Sequence, residues 1–250
     1  MTVLVIDTSI LLHKTFEKSS GYPSPEFLFF NKVNFLQDLY NPCKVIFTFD
    51  HKTPTWRHIK YPPYKGQRLP KTPEFINYKI FIEEQIKKRK YGFAIKEGFE
   101  SDDLIASSID WFPDQEIKIF TADTDMYQLV SDRVLIVKTS KEGVERVDKK
   151  YVEQAKGVLP SQIVDLKALE GDKSDNLVVP IRGFGTKKVV ELLNSFENLE
   201  RIFYVLEEGF SFPFPKFKED LIKYKDLIYL FRELITLKRD IPKEGVLYNV

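Results

Sequence analysis

The feature that most limits what this chain can fold into is a repeated ending. "TVLVID", "KVIFTFD" and "IKIFTAD" are short runs rich in β-branched and aromatic residues, each closing on an aspartate, and "RVLIV" is a weaker fourth. Between them lie segments that read as helices, "FLFFNKVNFLQDLY" and "DDLIASSIDWF". Strands alternating with helices predict an α/β fold, with a central, mostly parallel twisted sheet flanked by helices. Ligands of such sheets bind beyond the carboxyl ends of the strands. Asp7, Asp50 and Asp123 are expected there.

The rhythm breaks twice. Residues 51–99 hold Pro54, Pro62, Pro63, Pro70 and Pro73 among basic and aromatic residues, then the amphipathic basic stretch "NYKIFIEEQIKKRKYG". They are expected to form an insertion over the sheet's carboxyl edge, partly mobile and partly helical. After about residue 160 the strand signals fade. "PSQIVDLKALEG", "KKVVELLNSF", "NLERIFYVLEE" and "YKDLIYLFRELITLKRD" then read as a run of helices. The expected organisation is an α/β core over 1–160, interrupted by 51–99, and a helical module over 161–250.

Composition narrows the chemistry. A chain of 250 residues suffices for one large domain or a domain with a smaller module. No apolar run approaches the roughly 20 residues of a membrane span, and the opening "MTVLVIDTS" has an aspartate where a signal peptide is apolar. A cytoplasmic protein is expected. The single Cys43 fits a reducing compartment and excludes a multi-cysteine metal site, and His13, His51 and His58 are too scattered for zinc. Any metal is therefore held by carboxylates. A formal net charge of +1 gives no hint of a polyanionic partner, although Lys87 to Lys90 and Lys187–Lys188 are locally basic.

The carboxylates form groups. Asp7 and Asp50 end strands; Glu100, Asp102 and Asp103 open a helix; Asp123 and Asp125 stand two apart; Asp172 and Asp175 sit in "GDKSD". Each group alone reads as well as a helix cap or a solvated turn. Nine acids gathered at strand ends and helix starts would repel one another unless cations neutralise them. Hard oxygen donors in that number point to Mg²⁺ or Mn²⁺. Two such ions about 4 Å apart suit in-line hydrolysis of phosphodiesters, one generating hydroxide and the other steadying the leaving oxygen. A nuclease or a phosphatase follows.

The ordered set "VLVIDTS", "FTFDHKTPTWRHIKYPPYKGQR", "GFESDD", "TADTDMYQLV", "LEGDKSDN" and "GFGTKK" closely resembles the bacterial and phage 5′ nucleases, also called 5′→3′ exonucleases or flap endonucleases. These occur alone or as the N-terminal domain of DNA polymerase I. The likeness runs nearly end to end, through "LFRELITLKRDIP", with nothing polymerase-like following, and implies the free-standing form. It implies a PIN-like nuclease core with a helical arch over 51–99 and a helix–hairpin–helix-like module with its hairpin near 183–188. Asp7, Asp50, Glu100, Asp102, Asp103, Asp123, Asp125, Asp172 and Asp175 become the two-metal ligand set, and Lys65, Asp125 and Asp50 the catalytic residues. Gly183 and Gly185 admit a phosphate close to the backbone, Lys187 and Lys188 extend the contact, and the hairpin carbonyls hold K⁺. In the arch, Lys65 neutralises charge at the scissile phosphate, Tyr64 stacks on a base, and Arg68 and Arg57 contact phosphate.

Three departures from the family pattern stand out. Lys14 replaces an arginine, keeping the charge but losing the bidentate fork; "LVVPIR" lengthens the approach to the hairpin; and Thr8 replaces a glycine. The implied activity is structure-specific 5′ nuclease action in DNA replication and repair, on branched or 5′-flapped duplex DNA and RNA primer–DNA hybrids, by a monomer. A catalytically weak DNA-binding scaffold of the same fold and a PIN-type ribonuclease are the alternatives.

Overall fold

A computed structural model describes residues 1–17, 24–140 and 143–249; Val250, the last residue of the expected helical module, lies outside them. β1 (Thr2–Asp7) runs straight into α1 (Thr8–Glu17), and α2 (Pro25–Tyr40) returns the chain to β2 (Lys44–Phe49). The next crossover holds α3 (Trp56–Lys60) and α4 (Pro73–Lys88) before β3 (Gly92–Ile95). α5 (Ser101–Trp111) leads to β4 (Glu116–Phe120), followed by β5 (Val134–Ser140) and β6 (Gly143–Val147). The helices α6 (Lys149–Lys156), α7 (Ile163–Glu170), α8 (Thr186–Phe196), α9 (Leu199–Glu207), α10 (Lys218–Lys223) and α11 (Lys225–Ile235) come next, then β7 (Leu247–Tyr248).

The seven strands form one sheet in the order β6-β5-β4-β1-β2-β3-β7. The middle five are parallel, and β6 and β7 pair antiparallel at the edges. Both faces of β1 and β2 are covered, which is why their sequences are unbroken apolar runs rather than alternating ones. From β1 the chain builds outward to β3, then restarts on the other side with β4. That reversal opens a crevice at the carboxyl ends of β1 and β4.

One face of the sheet packs Leu4, Ile6 and Phe47 against α1, α2 and α4, through Leu11, Phe29, Phe75, Ile82 and Ile86. On the other face Val3, Val5 and Ile46 meet Ile105 and Ile109 of α5, and the same apolar cluster continues into the helical module through Leu166, Leu192 and Phe231. Among the described residues no helix is long and apolar enough to cross a membrane.

Two boundaries differ from expectation. Residues 51–99 are not one insertion: α4 is a core helix on the sheet face, and Gly92–Ile95 is a strand parallel to β2. Only the turn around residues 61–72 projects over the carboxyl edge. Gly92 and Ala94 have weak strand preference, so pairing with β2 decides their conformation. The segment 161–250 is likewise not wholly helical, since Leu247 and Tyr248 return to the sheet edge opposite Ala94 and Phe93.

Candidate active site

The crevice at the carboxyl edge encloses about 340 Å³ and is lined by Asp7, Asp50, Asp102, Asp123, Asp125 and Asp175. Six of the nine predicted acids therefore share one cavity, drawn from β1, β2, α5, the turn after β4 and the helical module. Asp7 and Asp50 are aimed by hydrogen bonds from the chain around them. Asp7 accepts from the Ile10 N–H at the start of α1 (3.1 Å) and from the Thr121 hydroxyl (2.7 Å). Asp50 accepts from the Ser101 N–H at the start of α5 (2.9 Å) and the Ser9 hydroxyl (3.0 Å).

Asp123 and Asp125 lie at the start of a helical turn, not on an extended segment. Asp123 caps a short 3-10 helix, Thr124–Leu129, by accepting from the Asp125 N–H (2.8 Å). Asp172 does the same for Lys173–Asp175, accepting from the Ser174 N–H (2.8 Å). For Asp123, capping and a place in the crevice coexist, while the second oxygen of Asp172 is held by Lys167.

Burial concentrates the charge. It raises Asp7 from the usual carboxylate range to about 6, with the charges of Asp50 and Asp123 adding to the effect against hydrogen bonds from Ile10 and Thr121. Burial and the charge of Asp123 raise Asp102 well above its ordinary value, and burial also raises Asp123. Asp50 goes the other way: burial is outweighed by the Ser101 N–H, the Lys65 charge and the Ser9 hydroxyl. Asp172 is lowered to about 2 because Lys167 and Ser174 overcome the effect of burial.

The structure corrects two residues and redirects a third. Arg57, expected to contact DNA, is 1% exposed, and Asp103, expected to bind metal, is fully buried. They hold each other in a fork of two 2.7 Å contacts. Asp103 also accepts from Trp56 Nε1 (3.3 Å) and the Lys238 N–H (2.9 Å), which uses up its lone pairs. Glu100 does face the same way as Asp103, toward Arg57 (3.2 Å). Burial pulls the guanidinium pKa down, but Asp103 and Glu100 more than offset this, so the charge persists. Tyr64, expected to stack on a base, is 3% exposed. Its hydroxyl lies 2.8 Å from Asp175 Oδ2 and 3.0 Å from Glu100 Oε2, one proton shared between the core and the helical module.

Lys65 and Arg68 do reach the crevice. Lys65 Nζ lies 2.8 Å from Glu100 and 3.9 Å from Asp175, and Arg68 lies 2.7 Å from Asp175. Lys14 stands at the end of α1, donating to Thr139 Oγ1 (3.2 Å). Gly183, Gly185, Lys187 and Lys188 are not among the lining residues. They form a separate surface, with Gly185 capping α8.

Three further residues went unnoticed in the sequence. Lys167 on α7 makes ion pairs with Asp125 and with Asp172 (2.8 Å); its signal was a lysine five residues ahead of an acid, easily read as a solvated helix face. His13 and Lys71 line the crevice mouth, His13 stacking on Phe75 at 4.3 Å.

The turn that carries Asp172 and Asp175 depends on Gly171. Its φ of +80° and ψ of 168° lie in a region essentially reserved for glycine. A Cβ there would meet the Leu177 carbonyl oxygen at 2.5 Å. Gly171→Ala should therefore cost about 3 kcal/mol in a denaturant melt, and weaken cleavage by displacing both acids. A loss under 1 kcal/mol would show that the turn is not rigid.

The donor set fits divalent metal. It is all carboxylate oxygen, and it holds more negative charge than burial tolerates. Among the described residues no three acids converge tightly enough to cage an ion unaided. Ions here would keep part of their shell from water or phosphate, as Mg²⁺ prefers.

The chain matches two family models: "5′-3′ exonuclease, N-terminal resolvase-like domain" over residues 2–157 and "5′-3′ exonuclease, C-terminal SAM fold" over residues 158–249. A 5′-3′ exonuclease of Mycoplasmopsis pulmonis is 32% identical over 245 residues, covering 96% of this chain and 81% of that protein. DNA polymerase I of Bacillus subtilis is 32% identical over 81% of this chain, which spans only 23% of the polymerase. The flap endonuclease of bacteriophage T5, solved in complex with DNA and metal ions, superposes with a TM-score of 0.79 at 19% identity, covering 95% of this chain and 89% of that one, and so shares the fold. With both halves of the molecule matched in order, and six of the nine expected acids gathered at the switch point of the sheet, the chain belongs to the 5′-3′ exonuclease family of hydrolytic nucleases.

Proposed function

We propose that this chain binds branched or 5′-flapped duplex DNA through its helical module and hydrolyses a phosphodiester near the junction, leaving a 5′-phosphate. RNA primers paired to DNA are a second class of substrate, and the role is removal of primers and repair flaps by a monomer in the cytoplasm. The observation that carries this reading is the meeting of six acids from five elements with Lys65 and Arg68 in one crevice.

Asp7, Asp50, Asp102, Asp123, Asp125 and Asp175 would hold two Mg²⁺ or Mn²⁺ ions, with Glu100 and Asp172 at the margin. When bound, the ions supply an activated water and stabilise the leaving oxygen. The chain's own residues do the rest. Lys65 presents a positive charge beside the acids, where negative charge develops on the phosphate. Lys65, Arg68 and Lys167 neutralise acids meanwhile, so the crevice is stable before substrate arrives. The turn of residues 61–72 stands over the cavity as the remaining arch.

The hairpin suits a sequence-independent phosphate contact. Gly183 adopts φ +81°. Gly185 has an ordinary extended backbone with open space around it, so folding does not require glycine there. Its missing Cβ is explained by close approach of a ligand to the backbone. The Gly183 carbonyl already serves a cation, Lys188 Nζ at 3.1 Å, and is where K⁺ would be added in a duplex complex.

The test is a 5′-labelled flap duplex beside the matched single strand, with Mg²⁺ and with chelator. Cutting at the junction is expected only with metal and only on the duplex. Metal-independent cutting, or preference for plain single-stranded RNA, would overturn the reading.

A further inference from the structure

The hairpin is not the whole of the basic surface on the helical module. Between α9 and α10 the chain runs through residues 210–217, a connection rich in phenylalanine and proline that the nuclease reading does not use. It ends in a single 3-10 turn, Pro215–Phe217. Phe217 turns inward and packs on Phe184 of the hairpin, ring centroids 5.2 Å apart. Both rings are buried, so the turn is fixed to the hairpin by apolar contact.

This contact gathers like charges. Lys188 Nζ lies 5.5 Å from the Phe217 ring centroid and Lys216 Nζ lies 5.9 Å from it, so one ring carries two ammonium groups. Lys187 is next to one of them in sequence and Lys218 is close to the other. Several other cations of the module have acids: Arg201 pairs with Glu197, Lys225 with Glu207, and Arg232 with Asp165 and Glu200. Among the described residues no ion pair reaches Lys187, Lys188, Lys216 or Lys218. Glu219 and Asp220 follow in the first turn of α10, and neither reaches these lysines within ion-pair distance.

Cations held together without acids gain nothing in folding, since like charges repel. They are suited to an extended polyanion. We propose that the Pro215–Lys218 turn is a second phosphate-contacting element, seated on the hairpin by Phe217, so that Lys216 and Lys218 widen the track of duplex backbone held by Gly183–Lys188. This rests on the reading of the module as a duplex-binding surface. The partner is double-stranded nucleic acid contacted through phosphate, with no base readout.

Counterion release makes this measurable, because each lost phosphate contact lowers the slope of log affinity against log salt by about 1. The experiment measures the affinity of the full chain for a flap duplex in chelator across a series of KCl concentrations. Four proteins are compared: wild type, Lys216→Ala/Lys218→Ala, Lys187→Ala/Lys188→Ala, and Lys149→Ala/Lys150→Ala on α6 as a control for net charge. The expected result is a slope reduced by about 2 for the first two variants, an unchanged slope for the control, and equal melting temperatures. If the slope falls for Lys187→Ala/Lys188→Ala and not for Lys216→Ala/Lys218→Ala, the second element is overturned and the duplex reading stands. If neither moves it, both fail. If the control lowers it equally, the effect is general charge and the proposal falls.

Discussion

Replacing Arg57 with alanine should cost about 3–5 kcal/mol of folding stability, the loss expected when one partner of a buried ion pair is removed. The reason is what remains. Asp103 would be left as a fully buried charge with its fork broken, and Glu100 would lose a neighbour on the same side. The backbone carbonyl of Leu234, which accepts from Arg57 Nε at 2.7 Å, would be stranded as well. A residue that only touched DNA would give a different result, weaker binding with an unchanged melt. Thermal melting of Arg57→Ala therefore separates the two roles directly. The double variant Arg57→Met/Asp103→Leu should recover part of the stability, since it removes the unpaired buried charge, while the Leu234 carbonyl and the Lys238 N–H stay without their partners. Its cleavage should stay low, because Glu100 is no longer steered. Recovery of full cleavage in that variant would show that the pair serves the fold alone.

Lys65→Ala should lower the cleavage rate about 10²- to 10³-fold, the scale for removing one preorganised donor from a charge-developing site. The ammonium is held by Glu100 at 2.8 Å and by Asp175. Burial alone would lower its pKa, but Glu100 and Asp175 raise it, so it stays charged. The backbone adds a second test. Lys65 sits at φ +54°, a left-handed conformation that costs a side-chain-bearing residue roughly 1–2 kcal/mol. Its N–H donates to the Asp175 carbonyl (3.0 Å), which fixes that conformation. Lys65→Gly should therefore lose the same activity while melting higher than Lys65→Ala, since both lose the ion pairs and only glycine relieves the backbone. Single-turnover cleavage and a melt on both variants decide it: a loss under tenfold removes Lys65 from the chemistry.

The parts of the fold legible in sequence were those with a local cause. β1 and β2 announce themselves as unbroken apolar runs because both faces are covered, and the aspartates that end them could only lie at the carboxyl edge. β3 was hidden because "GFAI" has no strand character without β2 beside it, and β7 is two residues long. Arg57 and Asp103 stand 46 residues apart, and nothing in either segment points to the other. Asp102 and Asp103 show the limit most clearly. One helical step separates an acid that lines the crevice from one that is sealed inside, and α5 is buried along nearly its whole length, so no polar face revealed its phase. The stacking role that the resemblance implied for Tyr64 hid its burial: a tyrosine between proline and lysine has the composition of an exposed turn, and the two carboxylates that receive its hydroxyl lie far off in sequence.

The grip of Arg57 on the Leu234 carbonyl, and of Asp103 on the Lys238 N–H, also sets an order in time. On the ribosome the N-terminal strands emerge and begin to fold first. Arg57 and Asp103, however, gain their final partners only when residues 234–238 have cleared the exit tunnel, well over a hundred residues later. A nascent chain therefore carries the Arg57–Asp103 pair before the backbone groups that complete its seal have been made.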